Sequence, residues 1–258
     1  MQTVYKLWSQ AKPYLPTPVT TMARETRYQA LRLQSSCYAI AERFTPKVIA
    51  PGIPAPPVDL RVRVHGSGNL TTFIVAGERI ASDIDAAMQG RHFRNALDFG
   101  CGCGRVLTYL HRLRPSNYTG IDVDQEAVEW SQKNITLANF IHGPERPPLP
   151  FRNGEFDFIF SISVFSHMDE QHCRMWADEL TRLLAPDGQL LITTIAGPGF
   201  SFSPAERTSW FVANKCEWYG TTCMSADYAA NLFPTLRLVS HVARGINDHQ
   251  DAILFHKP

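Results

Sequence analysis

The chain contains an acidic residue followed by three glycines at alternate positions. Asp98 ends an apolar stretch, and the glycines are Gly100, Gly102 and Gly104. Glycine lacks Cβ, so a backbone with this spacing can turn tightly and lie close to a bound ligand. An apolar helical pattern begins at Arg105, and the free N–H groups of a helix start favour electron-rich ligand atoms. The motif therefore predicts a strand–turn–helix unit that binds a nucleotide-type ligand.

The spacing of these glycines argues against a dinucleotide as the ligand. The dinucleotide fingerprint is G-x-G-x-x-G/A. Its third position falls on Arg105 when counted from Gly100, and on Leu107 when counted from Gly102. A nicotinamide-dependent oxidoreductase is therefore disfavoured and is kept only as an alternative.

A second acidic site follows the glycine turn. Asp122 ends the next apolar stretch, about twenty positions further on, where a carboxylate can accept hydrogen bonds from ribose hydroxyls. The alternative is an acid at a helix start, because a helical pattern begins at Gln125. We assign Asp122 to the ribose and Asp124 to the helix start.

Four segments, in order, resemble the motifs of class I S-adenosylmethionine (SAM)-dependent methyltransferases. They are the glycine turn, 120–124, 149–161 and 183–192. One departure is Asp187, where the family more often has glycine. The resemblance implies an α/β fold: a doubly wound, mostly parallel, seven-stranded Rossmann-like methyltransferase sheet with an antiparallel last strand.

The same resemblance implies SAM as the cofactor and S-adenosylhomocysteine as its product. No metal is expected, because the paired C-x-x-C spacings of a zinc site are absent. The implied cofactor-binding residues are Asp98, Gly100, Cys101, Gly102, Asp122, Val123, Glu145, Ser161 and Ile162. The turn surrounds the methionine part, Asp122 holds the ribose and Val123 packs on the adenine. Glu145 is assigned to the adenine amino group, where the family often has an aspartate just before Leu-Pro-Phe. Ser161 and Ile162 lie under the sulfonium.

Two histidines are candidates for a catalytic base or an acceptor contact. Methyl transfer is a direct displacement, so the protein supplies alignment and, for a hydroxyl acceptor, a base. His167 follows the strand expected at 156–162, and histidine titrates near neutrality. His249 lies in the expected terminal hairpin. The alternatives are a helix cap for His167 and a solvated turn for His249.

The N-terminal part, 1–92, is predicted to be a helical extension packed on the main domain. Apolar spacing predicts helices over 22–44 and 73–88, and the prolines of 46–57 predict an extended connector. Alternating apolar and basic residues over 60–64 suggest a short strand. Its basic residues Arg61 and Arg63, with His65 beside them, could point into the site, but basic residues that alternate on an edge strand are usually solvated.

The SAM-binding domain is predicted to span 93–258. Strands and helices alternate from residue 95, which implies a mostly parallel sheet covered on both faces. Strands are expected at 96–99, 118–122, 139–141, 156–162, 189–194, 236–242 and 251–256, and helices at 105–113, 125–133, 170–184 and 226–233. The aromatic-rich segment 196–225 is expected to be irregular and to act as a lid and substrate wall.

Composition excludes several classes of partner. The 258 residues carry a formal net charge of +1, so charge gives no support for nucleic-acid binding. The longest apolar runs, 156–165 and 190–195, are too short to span a membrane. Six cysteines without paired C-x-x-C spacing suggest small apolar residues in a reducing compartment. With no secretory signal at the N-terminus, we expect a cytoplasmic protein.

These observations predict a SAM-dependent methyltransferase that acts on a small-molecule acceptor, favouring a hydroxyl of natural-product or sugar type. Neither an Asn/Asp-Pro-Pro-Tyr/Phe segment nor a Pro-Cys pair follows the strand at 156–162, which disfavours methylation of DNA bases. N-methylation of a small amine and a non-catalytic SAM-binding protein are the remaining alternatives. The sequence leaves the acceptor's identity and the oligomeric state open.

Overall fold

The computed structural model describes residues 36–38, 40, 47–113, 116–204 and 216–258. In chain order, their strands and helices are β1 (Val48–Ala50), β2 (Ile53–Pro54), α1 (Val58–His65), α2 (Leu70–Ala87), β3 (Asn95–Phe99), α3 (Leu107–Leu113), β4 (Asn117–Asp122), α4 (Gln125–Asn134), β5 (Asn139–His142), β6 (Phe156–Ser161), α5 (Glu170–Leu183), β7 (Leu184–Thr194), β8 (Phe200–Pro204), β9 (Gly220–Met224), α6 (Ala226–Leu232), β10 (Arg237–Ile246) and β11 (Gln250–His256).

Seven strands form the central sheet, in the order β10-β11-β7-β6-β3-β4-β5. The five strands from β3 to β7 pair in parallel, and β11 pairs antiparallel with both β7 and β10. The expected doubly wound sheet with an antiparallel last strand is confirmed. Its parallel strands all end at one edge, where such sheets bind ligands.

Helices cover both faces because successive strand residues point to opposite sides. In β6, Phe158 and Phe160 pack into one apolar cluster, whereas Ile159 between them packs into the other. The first cluster includes buried residues of α2, α3 and α4, and the second those of α5 and α6. The core is therefore two apolar layers with the sheet between them.

The strand predicted over 60–64 is wrong, because these residues form most of α1. The helix has Pro57 at its N-cap and ends at Gly66, whose φ of 72° lets its N–H bond to the carbonyl of Val62. This arrangement of proline before and glycine after a helix is a common pair of boundary signals. The side chain of Arg61 is not solvated but fully buried, and it donates to the carbonyls of Pro56 and Gly68.

The remaining N-terminal predictions have mixed outcomes. The helix predicted over 73–88 is confirmed as α2, which starts three residues earlier, after the cap residue Asn69. The connector predicted over 46–57 folds back on itself as the antiparallel pair β1–β2. Most of the helix predicted over 22–44 lies outside the described residues.

The segment 196–225 is more regular than expected. Its described ends form the antiparallel pair β8–β9, with Phe200 opposite Met224 and Pro204 opposite Gly220. Residues 205–215, including two of the aromatic residues expected in the lid, lie outside the described residues. Of the helices that the structure describes, none is long and apolar enough to cross a membrane.

Candidate functional site

A cleft lies at the carboxyl edge of the sheet, above the glycine turn that follows β3. Its empty space, including the open mouth, is about 1180 Å³. The predicted residues that line it are Asp98, Gly100, Cys101, Gly102, Asp122, Val123, Glu145, Ile162 and His167. The structure thus brings nine of the eleven predicted site residues to one cleft; Ser161 and His249 do not line it.

The glycine turn is held against the end of β4 in a conformation that favours glycine. The N–H groups of Gly100 and Cys101 donate to the carbonyl of Ile121 at 2.8 and 3.1 Å. Gly100 and Gly102 have φ values of 84° and 53°. A Cβ on Gly100 would lie 2.2 Å from a methyl group of Val164. A side chain at Gly100 would thus clash with Val164, and the positive φ of both residues favours glycine.

Asp122 braces this turn from the end of β4. Its Oδ2 accepts from the N–H of Gly102 at 2.7 Å, and its Oδ1 accepts from the N–H of Asp124 at 2.8 Å. Burial raises the pKa of Asp122, and these two hydrogen bonds act in the opposite direction. Each carboxylate oxygen has two lone pairs, so Asp122 can also accept from the hydroxyls of a ribose. Asp124 caps α4, accepting from the N–H of Ala127, as expected.

Asp98, at the end of β3, lacks comparable partners. Its side chain is 2% exposed, and Oδ2 has no hydrogen-bond partner among the described residues. Burial raises the pKa of Asp98 well above its usual range, with a further contribution from Asp122, while Arg105 acts to lower it. A buried carboxylate that lacks a partner is costly, so this site favours a cationic ligand group. The α-ammonium of a methionine moiety is such a group.

The other side of the cleft contains Val123 and Glu145. Glu145 is exposed and accepts from the indole N–H of Trp218 at 3.3 Å, and the thiol of Cys216 lies 3.7 Å from its other oxygen. These contacts tie the residues after the undescribed gap to the loop after β5. Glu145 lines the cleft, and each of its carboxylate oxygens has a second lone pair that an amino group can use.

His167 lies in the loop after β6, next to the strand end that contains Ser161 and Ile162. Its Nδ1 lies 2.9 Å from the carbonyl of Gly220 and must donate to it, so Nε2 keeps its lone pair. The ring stacks on Tyr219 with centroids 4.9 Å apart. Burial lowers the pKa of His167. The residue is thus a neutral imidazole at neutral pH and is available as a base.

The other two predicted residues are placed differently. Ser161 is fully buried beneath the cleft, and its hydroxyl has no partner within the described chain. His249 lies in the turn between β10 and β11, is exposed, and donates its backbone N–H to Ile246. The structure therefore brings His167, but not His249, to the cleft.

A buried polar network fixes the His167 loop. Ser163 has a φ of 62°, donates its N–H to Thr193, and donates its hydroxyl to Gln250 at 2.9 Å. The amide of Gln250 reaches Ser166 at 3.3 Å. These contacts join the first residue of β11 to the loop. The role of Gln250 was missed because no sequence signal indicates a hydrogen bond between this residue and Ser163 or Ser166, which lie more than 80 positions earlier in the chain.

The end of α1 closes the cleft on the side of the glycine turn. Arg63 donates to Asp124 and Glu126, each at 2.8 Å, and the side chain of Val64 lies over Gly102. His65 accepts from Arg105 at 2.9 Å. Burial, followed by the positive charge of Arg105, lowers the pKa of His65 to about 4. Arg63 and Val64, which line the cleft, were not assigned to it because 60–64 was interpreted as an edge strand with solvated basic side chains.

Known proteins are similar to the part of the chain that supplies most of the residues lining this cleft. The family model described as a methyltransferase domain matches residues 97–192. Phthiotriol/phenolphthiotriol dimycocerosates methyltransferase 1 of Mycobacterium ulcerans is 31% identical over 143 residues, 54% of this chain and 49% of that protein. The O-methyltransferase rstn1 of Aspergillus nomiae is 26% identical over 130 residues, 48% of this chain and 56% of that protein. The chain thus spans about half the length of these curated relatives.

A solved structure shares the fold. The 1,6-didemethyltoxoflavin-N1-methyltransferase of Burkholderia thailandensis, solved with its substrate and S-adenosylhomocysteine, superposes with a TM-score of 0.54 at 18% identity. The match covers 70% of this chain and 78% of that one. The sheet order, the glycine turn and the matched domain agree with one another. Residues 97–192 thus match a methyltransferase domain, and the fold is the one found in SAM-dependent methyltransferases.

Proposed function

We propose that this protein transfers a methyl group from SAM to a hydroxyl of a small-molecule acceptor. The observation that carries the proposal is Asp98: a buried carboxylate, with one oxygen unpartnered among the described residues, opens onto the cleft beside the glycine turn. SAM carries a positively charged ammonium on its methionine part, so it can satisfy this oxygen.

The remaining cofactor contacts follow from the placement of the predicted residues. Gly100, Cys101 and Gly102 form the backbone beside the methionine part, and Asp122 accepts from the ribose hydroxyls. Val123 packs on the adenine, and Glu145 accepts from its amino group. Ser161 and Ile162 support the sulfonium region from the end of β6. This distribution matches the chemistry of SAM, since each acidic group meets a donor or a cation.

His167 acts as the base for the acceptor hydroxyl. Bound SAM supplies the methyl group as an electrophile. The contact from Nδ1 to the carbonyl of Gly220 fixes the tautomer, so Nε2 is the atom that takes the acceptor's proton. An amine that arrives already deprotonated would not need this base, which is why the geometry favours oxygen over nitrogen.

The domain assignments belong to the same proposal. Residues 1–92 act as an extension packed on the SAM-binding domain 93–258, and α1 contributes a wall of the cleft. Residues 196–225 act as a lid and substrate wall, supported by the presence of Trp218 and Tyr219 in the cleft lining. A cytoplasmic location is supported by six free cysteines.

Calorimetry tests the cofactor assignment and a product assay tests the reaction. We expect SAM and S-adenosylhomocysteine to bind and NAD not to bind. In a metabolite screen with SAM, formation of S-adenosylhomocysteine together with an O-methylated product supports the proposal. Tight NAD binding without SAM binding would overturn the cofactor assignment, and exclusively N-methylated products would overturn the hydroxyl assignment.

A further inference from the structure

Gln250 is a buried polar residue in a strand whose centre is apolar. It is the first residue of β11 and is 5% exposed, and the apolar residues 252–255 that follow it are buried in the core. Burying an amide costs free energy unless its oxygen and nitrogen are hydrogen-bonded. The reason for a glutamine at this position therefore lies in the groups that its amide contacts.

The amide of Gln250 joins the two ends of a tight turn. Its Oε1 accepts from the hydroxyl of Ser163 at 2.9 Å, and its Nε2 donates to the hydroxyl oxygen of Ser166 at 3.3 Å. Within the same segment, the N–H of His167 donates to the carbonyl of Val164 at 2.9 Å. One side chain thus holds both ends of the turn that leads directly into His167.

The backbone at the start of this turn is strained. Ser163 has a φ of 62°, in the left-handed region that a residue with a Cβ adopts only at a cost in free energy. Its N–H donates to Thr193 at 2.8 Å, and its hydroxyl donates to Gln250. Such a conformation persists where the surrounding contacts determine it, and it is common at functional sites. Ser163 and His167 both line the cleft.

The strand that contains Gln250 is fixed independently of the turn. Asp251 accepts from the backbone N–H of Arg244 at 2.9 Å, and the N–H of Asn247 donates to Asp83 on α2 at 2.7 Å. From Asp251 onward, β11 also pairs with β7. The support that Gln250 gives to the turn therefore comes from outside the His167 loop.

We propose that Gln250 is a positioning residue for methyl transfer, which holds the turn 163–166 so that the ring of His167 keeps its proton on Nδ1, at the carbonyl of Gly220, and its lone pair on Nε2. The inference rests on the proposed role of His167 as the base. Gln250 touches none of the reacting atoms, so it acts only through the geometry of the loop. An error of about 1 Å in such a geometry can cost about 100-fold in rate.

Nitrogen NMR of the His167 ring tests this placement without an acceptor or a cofactor. At about pH 8 the ring is neutral, and its signals are identified by their loss in His167→Ala. We expect a single tautomer, with the proton on Nδ1, in the wild-type protein. Gln250→Met is similar in size but removes both hydrogen bonds, so the Nε2–H tautomer should appear. An unchanged tautomer in this variant, or a mixture in the wild type, would overturn the inference.

Two further variants separate positioning from a general loss of packing. Gln189→Met is the matched control, because Gln189 is 6% exposed and lies on β7 opposite Phe158, and this variant should keep the Nδ1–H tautomer. Gln250→Glu should keep it too, because a carboxyl group in either protonation state can bond to both hydroxyls. The same tautomer mixture in Gln189→Met or Gln250→Glu as in Gln250→Met would contradict a specific role of the amide.

Turnover of the acceptor found in the metabolite screen gives the second readout. Gln250→Met should lower kcat about 10- to 100-fold and leave SAM affinity within about twofold, and Gln250→Glu should recover most of the rate. An equal loss of SAM affinity and of kcat in Gln250→Met would mean that Gln250 supports the cleft as a whole, and the inference would fail. If the wild-type protein methylated no hydroxyl, the proposed function would fail, whereas the tautomer measurement would still decide whether Gln250 positions the ring.

Discussion

Asp98 and Asp122 end neighbouring strands and are both buried, yet their surroundings differ. Asp122 accepts from two backbone N–H groups, whereas Oδ2 of Asp98 has no partner within the part of the chain described. Two backbone hydrogen bonds therefore partly offset the burial of the Asp122 carboxylate, whereas that of Asp98 is left to be satisfied by a ligand. Asp122 thus helps to hold the glycine turn, whereas Asp98 is available to bind the cofactor.

The Asp98→Asn variant separates these roles because it keeps the shape and removes the charge. We expect a loss of SAM affinity of about 10- to 100-fold, the range for a hydrogen bond to a charged group. Calorimetry measures this, with Asp227→Asn on the exposed start of α6 as the control. Unchanged SAM affinity would show that Asp98 does not hold the ammonium.

The same variant should alter the pH dependence of stability. The folded-state pKa of Asp98 is raised, so its stability contribution is fully present below its ordinary pKa and is lost as pH rises through the folded value. The ligand-free wild type should therefore lose more unfolding free energy than Asp98→Asn as pH rises from about 4 to 7. Urea unfolding at both pH values measures the difference, and parallel curves would contradict the assignment.

Removing the base should slow the reaction without affecting the cofactor. His167→Ala should lower kcat about 100-fold or more and leave SAM affinity nearly unchanged. Because the pKa of His167 is lowered, the wild-type kcat should stay unchanged as the pH falls to the ordinary histidine pKa, and should decrease only at more acidic pH. The control is His92→Ala, an exposed histidine at the amino end of β3. His249→Ala tests the second candidate, and near-normal turnover in H167A and H249A would remove histidine from the mechanism.

At the scale of elements, α1 connects the N-terminal extension to the glycine turn. Its last three residues each contact a different part of the turn or of the chain after β4, through an ion pair, a methyl contact and a hydrogen bond. Because these contacts are consecutive, a shift of α1 would disturb all three together. The end of α1 therefore forms a wall of the cleft whose position relative to the glycine turn is fixed by these three contacts.

Gly102 and Gly66 make a matched pair for testing this wall. Both have positive φ, 53° and 72°, so alanine strains either backbone by about 1–2 kcal/mol. Only at Gly102 would the new Cβ lie 2.8 Å from a methyl group of Val64. Gly102→Ala should therefore abolish or greatly weaken SAM binding, and Gly66→Ala should not, by calorimetry. Wild-type SAM affinity in G102A would mean that the turn is not the site.

The pair β8–β9 is the element proposed to close over the acceptor. We expect its amides to exchange faster than those of β6 in the free protein, and to become protected when SAM analogue and acceptor bind. Hydrogen exchange followed by mass spectrometry measures both states. Equal protection of β8–β9 with and without ligands would make this segment ordinary packing over the sheet edge.

The sequence predicted the elements whose signals are local. Buried apolar runs located β3, β4 and β6 to within two residues, and α4 and α5 begin after the capping residues Asp124 and Asp169. It failed at α1, where basic residues alternate with apolar ones: Arg61 is buried and bonds to the carbonyls of Pro56 and Gly68, and Arg63 pairs with Asp124, far along the chain. It could not place His249 either, because the length of the turn between β10 and β11 does not show which way that turn points.

At the scale of the whole molecule, the N-terminal extension and the sheet share one apolar layer. Residues of α1 and α2 with little or no exposure pack in the same cluster as Phe158 and Phe160 of β6; they are Leu60, Phe73, Ile80 and Ile84. Burying side chains of this kind contributes about 1.5–3 kcal/mol each. Their sum is comparable with the whole stability of an ordinary domain, about 5–15 kcal/mol.

A fragment spanning 93–258 should therefore not fold to a stable, SAM-binding state on its own. Within the full chain, two single substitutions on α2 test whether packing of the extension against the sheet contributes to stability. Ile84→Ala, at a fully buried position, should cost about 2–5 kcal/mol of unfolding free energy, whereas Val75→Ala, at a position 54% exposed, should cost about 0.5 kcal/mol or less. Urea unfolding followed by circular dichroism measures both. Two results would contradict this expectation: a cooperative transition of the fragment at the wild-type midpoint, or equal costs for I84A and V75A. Either would show that the sheet is stable without packing against the N-terminal extension.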